Sequence, residues 1–317
     1  MNCLVTGGAG FIGSNLVDAL VARGDRVAVI DDLSSGKLEN LAGALAAGAE
    51  LHELDVRDGD GVARVFAHMR PEVVFHLAAQ IDVRVSVASP ATDAAINVLG
   101  AINVLEAARA HGVRRVVNTS TGGGLYGNAD RLPTPESHPI HSLAPYGQSK
   151  LAAEGYCELY TRLHELSTVS LRYGNVFGPR QDVHGEAGVV AIFCGCLIDG
   201  RTPVFYGDGA QTRDWVDVSD VVAANLIAAD ADVTGPLNIG QGRETSLLDL
   251  FEALREVGSE WGMELAQPRF EPARLGEVRR SCLDVSRANV ELGWSPKVSL
   301  HEGLRRILGR LELRPAP

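Results

Sequence analysis

Residues 6–13 read Thr6-Gly-Gly-Ala-Gly-Phe-Ile-Gly13. They follow directly on a short, mostly apolar run at residues 2–6. The run predicts a buried β-strand, and the apolar spacing after the glycines predicts a helix packed on a sheet. That spacing is set by Phe11, Ile12, Leu16, Val17, Leu20 and Val21. Gly24 ends the helix, and a second apolar strand at residues 26–30 leads to Asp31. Strand, glycine turn, helix, strand and acid in this order predict a dinucleotide-binding unit.

The glycines and the acid have separate predicted roles in that unit. Gly7 allows the tight turn, Gly10 lets the backbone approach a pyrophosphate, and Gly13 permits close packing of the helix. The pyrophosphate would lie at the positive end of the helix. Asp31 would accept hydrogen bonds from the adenosine ribose and repel a 2′-phosphate, which predicts NAD over NADP. Lys37 lies close enough in the sequence to weaken that preference.

Strands and helices continue to alternate as far as residue 172. Strands are predicted at residues 51–54, 73–77, 115–118 and 168–172, with helices at about 92–110 and from Tyr146 onward. The alternation predicts an α/β fold with a parallel, doubly wound sheet of the Rossmann type. Asp55 is placed to reach the adenine amino group, or alternatively to cap the helix that follows it. The small pair Ala78-Ala79 would let the cofactor pass close by.

A long loop rich in glycine, proline and polar residues separates the fifth strand from the Tyr146 helix. Loops of such length are usually functional, and this one leaves the carboxyl end of a strand, where these sheets bind ligands. It begins with Thr119-Ser120-Thr121-Gly122-Gly123. The hydroxyl groups of this stretch are therefore expected on the cofactor side.

Tyr146 and Lys150 stand four residues apart, so they share one face of a helix. An ammonium group near a phenol favours the phenolate, which can take up a proton at neutral pH. Lowering a tyrosine pKa from its ordinary value to near neutrality requires roughly 4 kcal/mol, which the lysine and a cationic nicotinamide could supply together. The pair alone is also typical of a solvated helix face. With the loop hydroxyls nearby, it predicts a proton relay.

After Tyr173 the predicted elements become shorter and richer in glycine. We expect a first, NAD-binding domain at residues 1–174 and a smaller α+β substrate domain at residues 175–317. Residues of about 214–229 resemble a strand and helix of the first kind, so they are expected to cross back to the first domain.

Composition excludes several classes of function. The net charge of −11 argues against a nucleic-acid or anionic-membrane surface, and no apolar run reaches the ~18 residues of a membrane span. Because a strand is predicted to begin almost at Met1, we expect no signal peptide in this stretch. The five scattered cysteines predict free thiols in a reducing cytoplasm. Cys194-Gly-Cys196 lacks a second ligand pair, so no metal is expected.

Ordered motifs make the chain resemble the extended short-chain dehydrogenases/reductases, and among them the UDP-glucose 4-epimerases. The resemblance spans essentially all 317 residues. Besides the glycine turn, the motifs are Asp31-Asp32-Leu33, Asp55-Val-Arg-Asp58, His76-Leu-Ala-Ala79, Ser120-Thr-Gly-Gly-Gly-Leu-Tyr-Gly127, Pro145-Tyr-Gly-Gln-Ser-Lys150, Leu171-Arg-Tyr-Gly-Asn-Val-Phe-Gly-Pro179, Tyr206-Gly-Asp-Gly209, Arg213-Asp214 and Leu292-Gly-Trp-Ser-Pro296.

The resemblance implies a catalytic cycle for these residues. Tyr146 would remove the proton from the sugar 4-hydroxyl while C4 gives a hydride to NAD. Lys150 would lower the tyrosine pKa and hold the nicotinamide ribose. Thr121, with Ser120 as the competitor, would hydrogen-bond the 4-oxygen and relay the proton. The 4-keto sugar would then turn over and take the hydride back on its other face, so NAD would stay bound throughout.

The resemblance also implies which residues bind the two ligands. Those expected to bind NAD are Gly7, Gly10, Phe11, Ile12, Gly13, Asp31, Asp32, Asp55, Val56, Leu77, Ala78, Ala79, Tyr146, Lys150 and Tyr173. Those expected to bind a UDP-sugar are Asn175 at a phosphate, Val189, Tyr206 on the uracil, Arg213 and Arg274 at the diphosphate, and Ser281 beside the sugar. Arginine forks suit phosphate oxygens, particularly in an acidic protein. Pairing across a dimer as a four-helix bundle is likewise implied for the helices at about 92–110 and 146–166.

Several alternatives remain open from the sequence. Relatives that dehydrate or decarboxylate sugar nucleotides carry acidic residues where Gly122 and Gly123 stand, and glycine cannot protonate a leaving hydroxyl, so epimerisation is favoured. A dehydrogenase that releases NADH, or a dinucleotide sensor without chemistry, would share the fold. Ser281 is small enough to predict acceptance of UDP-N-acetylglucosamine beside UDP-glucose. UDP-glucuronate is a further candidate.

Overall fold

The computed structural model describes residues 1–182, 188–273 and 278–312 of the chain. Its strands, in chain order, are β1 (Asn2–Thr6), β2 (Arg26–Asp31), β3 (Glu50–Glu53), β4 (Val73–His76), β5 (Arg115–Thr121), β6 (Ser167–Tyr173), β7 (Asn175–Phe177), β8 (Val204–Tyr206), β9 (Thr212–Arg213), β10 (Trp215–Asp217), β11 (Gly235–Ile239), β12 (Thr245–Ser246) and β13 (Arg269–Glu271). The central sheet is parallel and has seven strands in the order β11-β6-β5-β4-β1-β2-β3. This confirms the predicted doubly wound α/β fold.

Helices connect these strands. They are α1 (Phe11–Ala22), α2 (Ala42–Ala46), α3 (Gly59–Met69), α4 (Val83–Ala88), α5 (Pro90–Ala94), α6 (Gly100–Ala110), α7 (Gly122–Leu125), α8 (Pro145–His164), α9 (Val189–Asp199), α10 (Val218–Asp230), α11 (Leu247–Glu260), α12 (Ser286–Leu292) and α13 (Leu300–Glu312), with a 3₁₀ turn at Leu38–Leu41 and a π-helical turn at Ala95–Leu99. None of the helices in the described ranges is both long enough and apolar enough to cross a membrane.

Apolar residues cover both faces of the sheet, as a parallel sheet between two helical layers requires. Alternate residues of a strand point to opposite faces, so Phe75 of β4 packs in one hydrophobic cluster and its neighbour Val74 in the other. The first cluster contains α1 and α10, and the second contains α3, α6 and α8. The strand ends that carry the candidate site are thus fixed from two sides.

The seventh strand comes from sequence that follows the predicted boundary near residue 174. After β10, α10 packs against α1, and β11 then pairs in parallel with β6, Gly235 opposite Val169. Arg115 of β5 ties this segment to the sheet, because its buried guanidinium donates to the carbonyl oxygens of Ala228 and Val233 at 2.9 and 2.6 Å. The return to the sheet therefore extends through Ile239, ten residues beyond the predicted segment 214–229.

A third hydrophobic cluster lies among α9, α11, α13 and β8. Its centre is a set of aromatic rings in which Phe205 stacks on Phe193 at 5.3 Å and meets Phe251 edge-on at 5.7 Å. Three two-stranded sheets accompany it, β7 with β10, β9 with β12, and β8 with β13. These short elements follow the glycine-rich part of the sequence.

Two elements near the site differ from their predicted bounds. β5 runs to Thr121 rather than ending at residue 118, and the turn-like stretch after it forms α7. The helix predicted at about 92–110 begins at Pro90 and contains the π-helical turn Ala95–Leu99 between α5 and α6. Both differences change where polar side chains point.

Candidate active site

The glycine turn brings β1, α1 and the end of β4 into backbone contact. Gly7 has a φ of +70°, and a Cβ atom there would lie 2.7 Å from the Ala78 nitrogen. A Cβ atom on Gly13 would lie only 2.1 Å from the Gly7 carbonyl oxygen. Gly10 precedes the first turn of α1, and no side chain caps that helix. The backbone N–H groups at the start of α1 are therefore available to an anionic ligand.

Asp31 is held by the glycine turn at the end of β2. Its Oδ2 accepts a hydrogen bond from Ala9 N at 2.8 Å and its Oδ1 accepts one from Leu33 N at 2.9 Å. Burial raises the pKa of this carboxyl group. The Lys37 ammonium lies 3.5 Å from Asp182 rather than on Asp31. The positive charge that was expected to weaken the preference for NAD is therefore paired with Asp182.

The neighbouring acids have different surroundings. Asp32 is exposed and accepts from the Ser34 backbone N–H at 3.0 Å. Asp55 binds Arg57, whose Nε lies 2.9 Å from Oδ2 and holds the pKa of Asp55 below its usual value. The helix that follows, α3, is capped by Asp58 instead, so the alternative that Asp55 caps it is wrong.

The residues after β4 are fixed by one hydroxyl group. Thr6 Oγ1 accepts from the Leu77 and Ala78 N–H groups at 3.2 and 3.1 Å, so its own hydrogen goes to His76 Nδ1 at 2.8 Å. Burial lowers the pKa of His76 to about 3, so the ring is neutral and carries its hydrogen on Nε2. Ala79 continues this half-buried stretch along the crevice.

Other residues expected at the cofactor lie in three environments. Phe11 and Ile12 are half-buried at the start of α1, and Val56 is buried against Gly100. Tyr173 is buried in the core: its hydroxyl accepts from Asn225 Nδ2 at 2.7 Å, and burial raises its pKa to about 12.

Tyr146 and Thr121 meet at the end of β5. Thr121 Oγ1 accepts from the Gly124 N–H at 3.1 Å, which leaves its hydrogen for the Tyr146 hydroxyl. Burial raises the pKa of Tyr146 to about 12, and the hydrogen bond from Thr121 opposes that rise. Gly147 keeps the helix close, because a Cβ atom there would lie 2.4 Å from the Gly124 carbonyl oxygen.

Ser120 does not join this pair. As the preceding residue of β5, it points to the opposite face of the sheet from Thr121. Its Oγ is buried and has no hydrogen-bond partner among the described residues. The sequence analysis placed both hydroxyl groups in a loop after residue 118. Because β5 extends to Thr121, the two side chains instead point to opposite faces of the sheet.

Lys150 is buried one helical turn after Tyr146. Its Nζ donates to the Thr119 carbonyl oxygen at 2.9 Å, and burial lowers its pKa to about 8. The spacing of the pair predicted a lowered pKa for Tyr146, whereas the groups of the protein raise it. At neutral pH the protein alone therefore holds a neutral phenol beside a largely protonated amine.

Asn97 was not predicted from the sequence. It is buried in the π-helical turn, where its Oδ1 accepts from Gln80 N at 2.8 Å and its Nδ2 lies 3.0 Å from Ser149 Oγ. Ser149 Oγ in turn donates to the Tyr146 carbonyl oxygen at 2.9 Å. The sequence does contain an indication of this role, because Asn97 continues the buried apolar stripe of α6 at helical spacing. A polar residue in such a stripe needs a specific hydrogen-bond partner.

A cavity of about 190 Å³ lies on the other side of the crevice. Its lining includes three of the predicted substrate residues, Asn175, Val189 and Arg213. The other lining residues were not predicted, and among them Gln181 and Trp215 carry polar side-chain atoms. Asn175 Oδ1 and Trp215 Nε1 are buried without a partner in the described parts of the chain, so each offers an unused hydrogen bond.

The remaining substrate predictions lie outside that cavity lining. Tyr206 is half-buried at the end of β8, and Ser281 is buried. Arg274 lies outside the described residues. The segment of Ser281 reaches the active-site turn, because a Cβ atom on Gly122 would lie 2.6 Å from Leu283 Cδ1.

All five cysteines are buried and unpaired. The described residues contain no cluster of three or more histidine, cysteine or acidic side chains that could hold a metal ion.

The chain is similar to known proteins over almost its whole length. The family model described as GDP-mannose 4,6 dehydratase matches residues 4–307. A UDP-glucose 4-epimerase of Mycolicibacterium smegmatis is 47% identical over 309 residues, which cover 96% of this chain and 97% of that protein.

Two solved structures are similar over nearly their whole length. The UDP-glucose 4-epimerase of Thermotoga maritima, solved with UDP-glucose, has a TM-score of 0.94 at 45% identity and covers 99% of this chain and 100% of its own. The Thermus thermophilus UDP-glucose 4-epimerase, solved with NAD, has a TM-score of 0.90 at 41% identity and covers 99% of each chain. The chain therefore belongs to the extended short-chain dehydrogenase/reductase family of nucleotide-sugar epimerases and dehydratases, as its motifs predicted.

Proposed function

We propose that this protein is an NAD-dependent epimerase that inverts C4 of a UDP-hexose. The observation that carries the proposal is that Thr121 and Tyr146 pack against the same residue, Gly124, at the carboxyl edge of the sheet where such folds bind ligands. A Cβ atom on Gly124 would lie 3.3 Å from Thr121 Oγ1 and 3.5 Å from Tyr146 Cε1. A hydroxyl and a phenol in contact can pass a proton to or from a sugar oxygen. The relatives solved with UDP-glucose and with NAD support the same assignment.

The residues of the crevice fit NAD. The glycine turn leaves room that a Cβ atom would fill, and the uncapped start of α1 suits the pyrophosphate. Asp31 is held in place by Ala9 and Leu33, at the position that suits the adenosine ribose. Held there, NAD would supply a site that takes a hydride from the sugar carbon and gives it back. Its positive nicotinamide charge would also supply the lowering of the Tyr146 pKa that the protein alone does not provide.

The side chains of the site divide the work of proton transfer. Tyr146 removes the proton of the sugar 4-hydroxyl and returns it, and Thr121 orients the 4-oxygen. Lys150 contributes a buried positive charge one turn away. Gly122 and Gly123 offer no acid to protonate a leaving hydroxyl, which favours epimerisation over dehydration.

The nucleotide is assigned to the cavity beside β7 and α9. Asn175 and Arg213 would hold phosphate oxygens there, and an arginine fork is well suited to them in a protein with a net charge of −11. Tyr206 would pack on the uracil, and Arg274 is proposed as the second diphosphate ligand.

The test is to incubate the purified protein separately with UDP-glucose, UDP-N-acetylglucosamine and UDP-glucuronate. Proton NMR should show inversion at C4 of UDP-glucose without any added redox partner. Inversion of UDP-glucuronate alone would identify the other epimerase activity considered from the sequence. Steady formation of NADH with added NAD would show a dehydrogenase instead.

We expect UDP-N-acetylglucosamine to be accepted as well, because Ser281 is small and lies two residues from the leucine that packs on Gly122. Replacing Ser281 by Tyr should lower activity on the N-acetyl sugar at least ~10-fold more than activity on UDP-glucose, since one lost pocket contact or clash is worth about that factor. NMR rates for both sugars give the ratio. Ser281→Ala is the control and should keep the wild-type ratio; an unchanged ratio in Ser281→Tyr would contradict the steric argument.

We propose a homodimer whose interface is formed by α6 and α8. We also propose that the protein resides in the cytoplasm, because five unpaired cysteines are typical of a reducing compartment. Leu99, at the end of the π-helical turn that leads into α6, is 56% exposed, and Leu163 of α8 is 64% exposed. Ile102, Tyr156 and Leu159 of the same two helices are only partly covered. Apolar residues on two adjacent helices are the surface that a four-helix bundle buries.

Leu163→Glu should convert the dimer to a monomer, because it places a charge in the centre of an apolar interface. Light scattering coupled to gel filtration measures the mass. Val290→Glu is the matched control, since Val290 is 81% exposed on α12 and should leave the dimer intact. A wild-type protein with the mass of one chain would contradict the interface.

We also propose the division into an NAD-binding unit of residues 1–174 and a substrate unit of residues 175–317, with the segment that contains α10 and β11 belonging to the first. Its support is the third hydrophobic cluster, which contains α9, α11 and α13 but none of the central strands.

A further inference from the structure

Leu283 fills the space beside the turn that follows Thr121. It is buried, and a Cβ atom on Gly122 would lie 2.6 Å from both of its Cδ atoms. Gly122 comes directly after Thr121 and is the first residue of α7. Its φ lies outside the left-handed region, so its own backbone conformation would accept a side chain. The neighbouring leucine, and not the backbone, is therefore what requires glycine at this position.

The backbone of Leu283 is held from two sides. Its N–H group donates to the buried carboxylate of Asp214, whose Oδ2 lies 3.0 Å away. On the other side it forms a parallel bridge with Thr134. There Thr134 N donates to the Cys282 carbonyl oxygen at 2.8 Å, and Asp284 N donates to the Thr134 carbonyl oxygen at 2.9 Å. These hydrogen bonds leave the leucine little freedom to move away from the turn.

Asp214 fixes this segment relative to the nucleotide cavity. Its carboxylate also accepts from the backbone N–H groups of residues 241–242, at 2.5 and 3.1 Å. The residues on either side of it, Arg213 and Trp215, both line the cavity assigned to the nucleotide. Because side chains alternate along an extended chain, Asp214 points away from that cavity and toward Leu283. The leucine and the nucleotide site are thus attached to the same stretch of backbone.

The turn between Leu283 and the proposed proton relay has no side chains of its own to hold it. It contains three consecutive glycines, Gly122–Gly124, and glycine loses more conformational freedom on folding than any other residue. Thr121 Oγ1 accepts from the Gly124 N–H at 3.1 Å across this turn. The Tyr146 ring also lies against Gly124. A shift of the turn would therefore move the Thr121 hydroxyl relative to the phenol.

We propose that Leu283 is a positioning residue for the C4 chemistry, whose side chain holds the glycine turn in place and so fixes the Thr121 hydroxyl toward the sugar 4-oxygen. The inference rests on the proposed epimerase function, which it deepens. Leu283 acts through Gly122 and not on the reacting atoms. A displacement of about 1 Å can lower a rate 10²-fold, so loss of this support should lower kcat and leave nucleotide binding unchanged.

The first test is Leu283→Ala in the NAD-loaded enzyme. Its kcat for inversion of UDP-glucose should fall ~10–100-fold, because the freed turn misplaces the Thr121 hydroxyl. The dissociation constant of UDP, measured by calorimetric titration, should stay close to that of the wild type, because Asn175 and Arg213 still line the nucleotide cavity.

Leu254→Ala is the matched control for this substitution. Leu254 is equally buried, but it lies in α11 within the third hydrophobic cluster, so its truncation costs stability without freeing the turn. Its kcat should stay near that of the wild type. An equal loss of kcat in this control, or a loss of UDP affinity in Leu283→Ala as large as its loss of kcat, would indicate a general loosening of the fold and overturn the proposal.

The second test uses the contact itself. Gly122→Ala alone should lower kcat, since the new Cβ atom meets the leucine. The double variant Gly122→Ala/Leu283→Ala has room for that atom, so its kcat should be at least ~10-fold higher than the product of the two single losses predicts. Leu283→Met conserves the side-chain volume and should keep most of the activity. If Leu283→Ala does not fold, Leu283→Val replaces it in both tests.

The outcomes separate this inference from the function on which it rests. An active wild type whose two single losses simply multiply in the double variant would overturn the positioning role alone. A wild type that inverts no UDP-sugar would overturn the proposed function, and the positioning role with it.

Discussion

Replacing Tyr146 by Phe should lower kcat for C4 inversion by ~10²–10⁴, the usual contribution of a general acid–base group. The substitution removes only the hydroxyl that meets Thr121. The aromatic ring is retained in its place against Gly124 of α7, so the thermal unfolding temperature should change little. Proton NMR with UDP-glucose measures the rate, and fluorescence titration with NAD measures cofactor binding, which should persist.

Tyr156→Phe is the matched control, since it removes a phenolic hydroxyl from the same helix ten residues further along, about 15 Å from Tyr146 along the helix axis. Turnover there should stay near that of the wild type. A Tyr146→Phe enzyme with nearly full activity would show that another group takes the proton. A dinucleotide sensor, the alternative without chemistry, would keep its NAD binding in both variants and show no inversion in the wild type.

The strand–helix–strand stretch from β1 to β2 was predictable because the residues that indicate it lie close together in the sequence. The glycine turn between β1 and α1, and Asp31 at the end of β2, lie within one strand–helix–strand stretch, so spacing alone predicts their geometry. The seventh strand was not predictable in the same way. β11 joins the sheet by pairing with β6 across more than sixty residues of sequence, and nothing in a local pattern encodes such a partner.

The choice between Ser120 and Thr121 as the proton-relay residue depended on where β5 ends. Because side chains alternate along a strand, a β5 that ends at residue 118 leaves Ser120 and Thr121 equivalent, whereas one that reaches Thr121 separates them onto opposite faces. Strand ends are set by pairing with the neighbour, here Thr121 opposite Tyr173. The sequence therefore indicated the hydroxyl cluster but not which member meets Tyr146.

Asn97 shows the same limit for helices. An α-helical reading places it on the buried stripe, but the π-helical turn at Ala95–Leu99 inserts an extra residue that shifts the residues before it around the helix. Asp93 and Asn97 consequently share a hydrogen bond and face Gln80 together. Two polar side chains of this helix and Gln80 from the stretch after β4 form a hydrogen-bonded network, which spacing alone does not reveal.

Gly13→Ala should be the most damaging of the single methyl additions in the glycine turn. The new Cβ atom would lie 2.1 Å from the Gly7 carbonyl oxygen and 2.8 Å from Gly8 Cα, and both are backbone atoms that cannot rotate away. α1 would have to move off the end of β1, at a cost of about 3 kcal/mol or more for overpacking. That loss exceeds the gain of about 1 kcal/mol from the better helix propensity of alanine.

Urea unfolding and NAD titration should both detect this change, because the same displacement opens the start of α1 that suits the pyrophosphate. Gly43→Ala is the matched control: Gly43 lies in α2, and a Cβ atom there meets nothing within 4 Å. It should leave NAD binding intact and raise the free energy of unfolding by up to about 1 kcal/mol. If the two variants unfolded at the same urea concentration and bound NAD equally, close backbone packing at Gly13 could not be what forms the dinucleotide site.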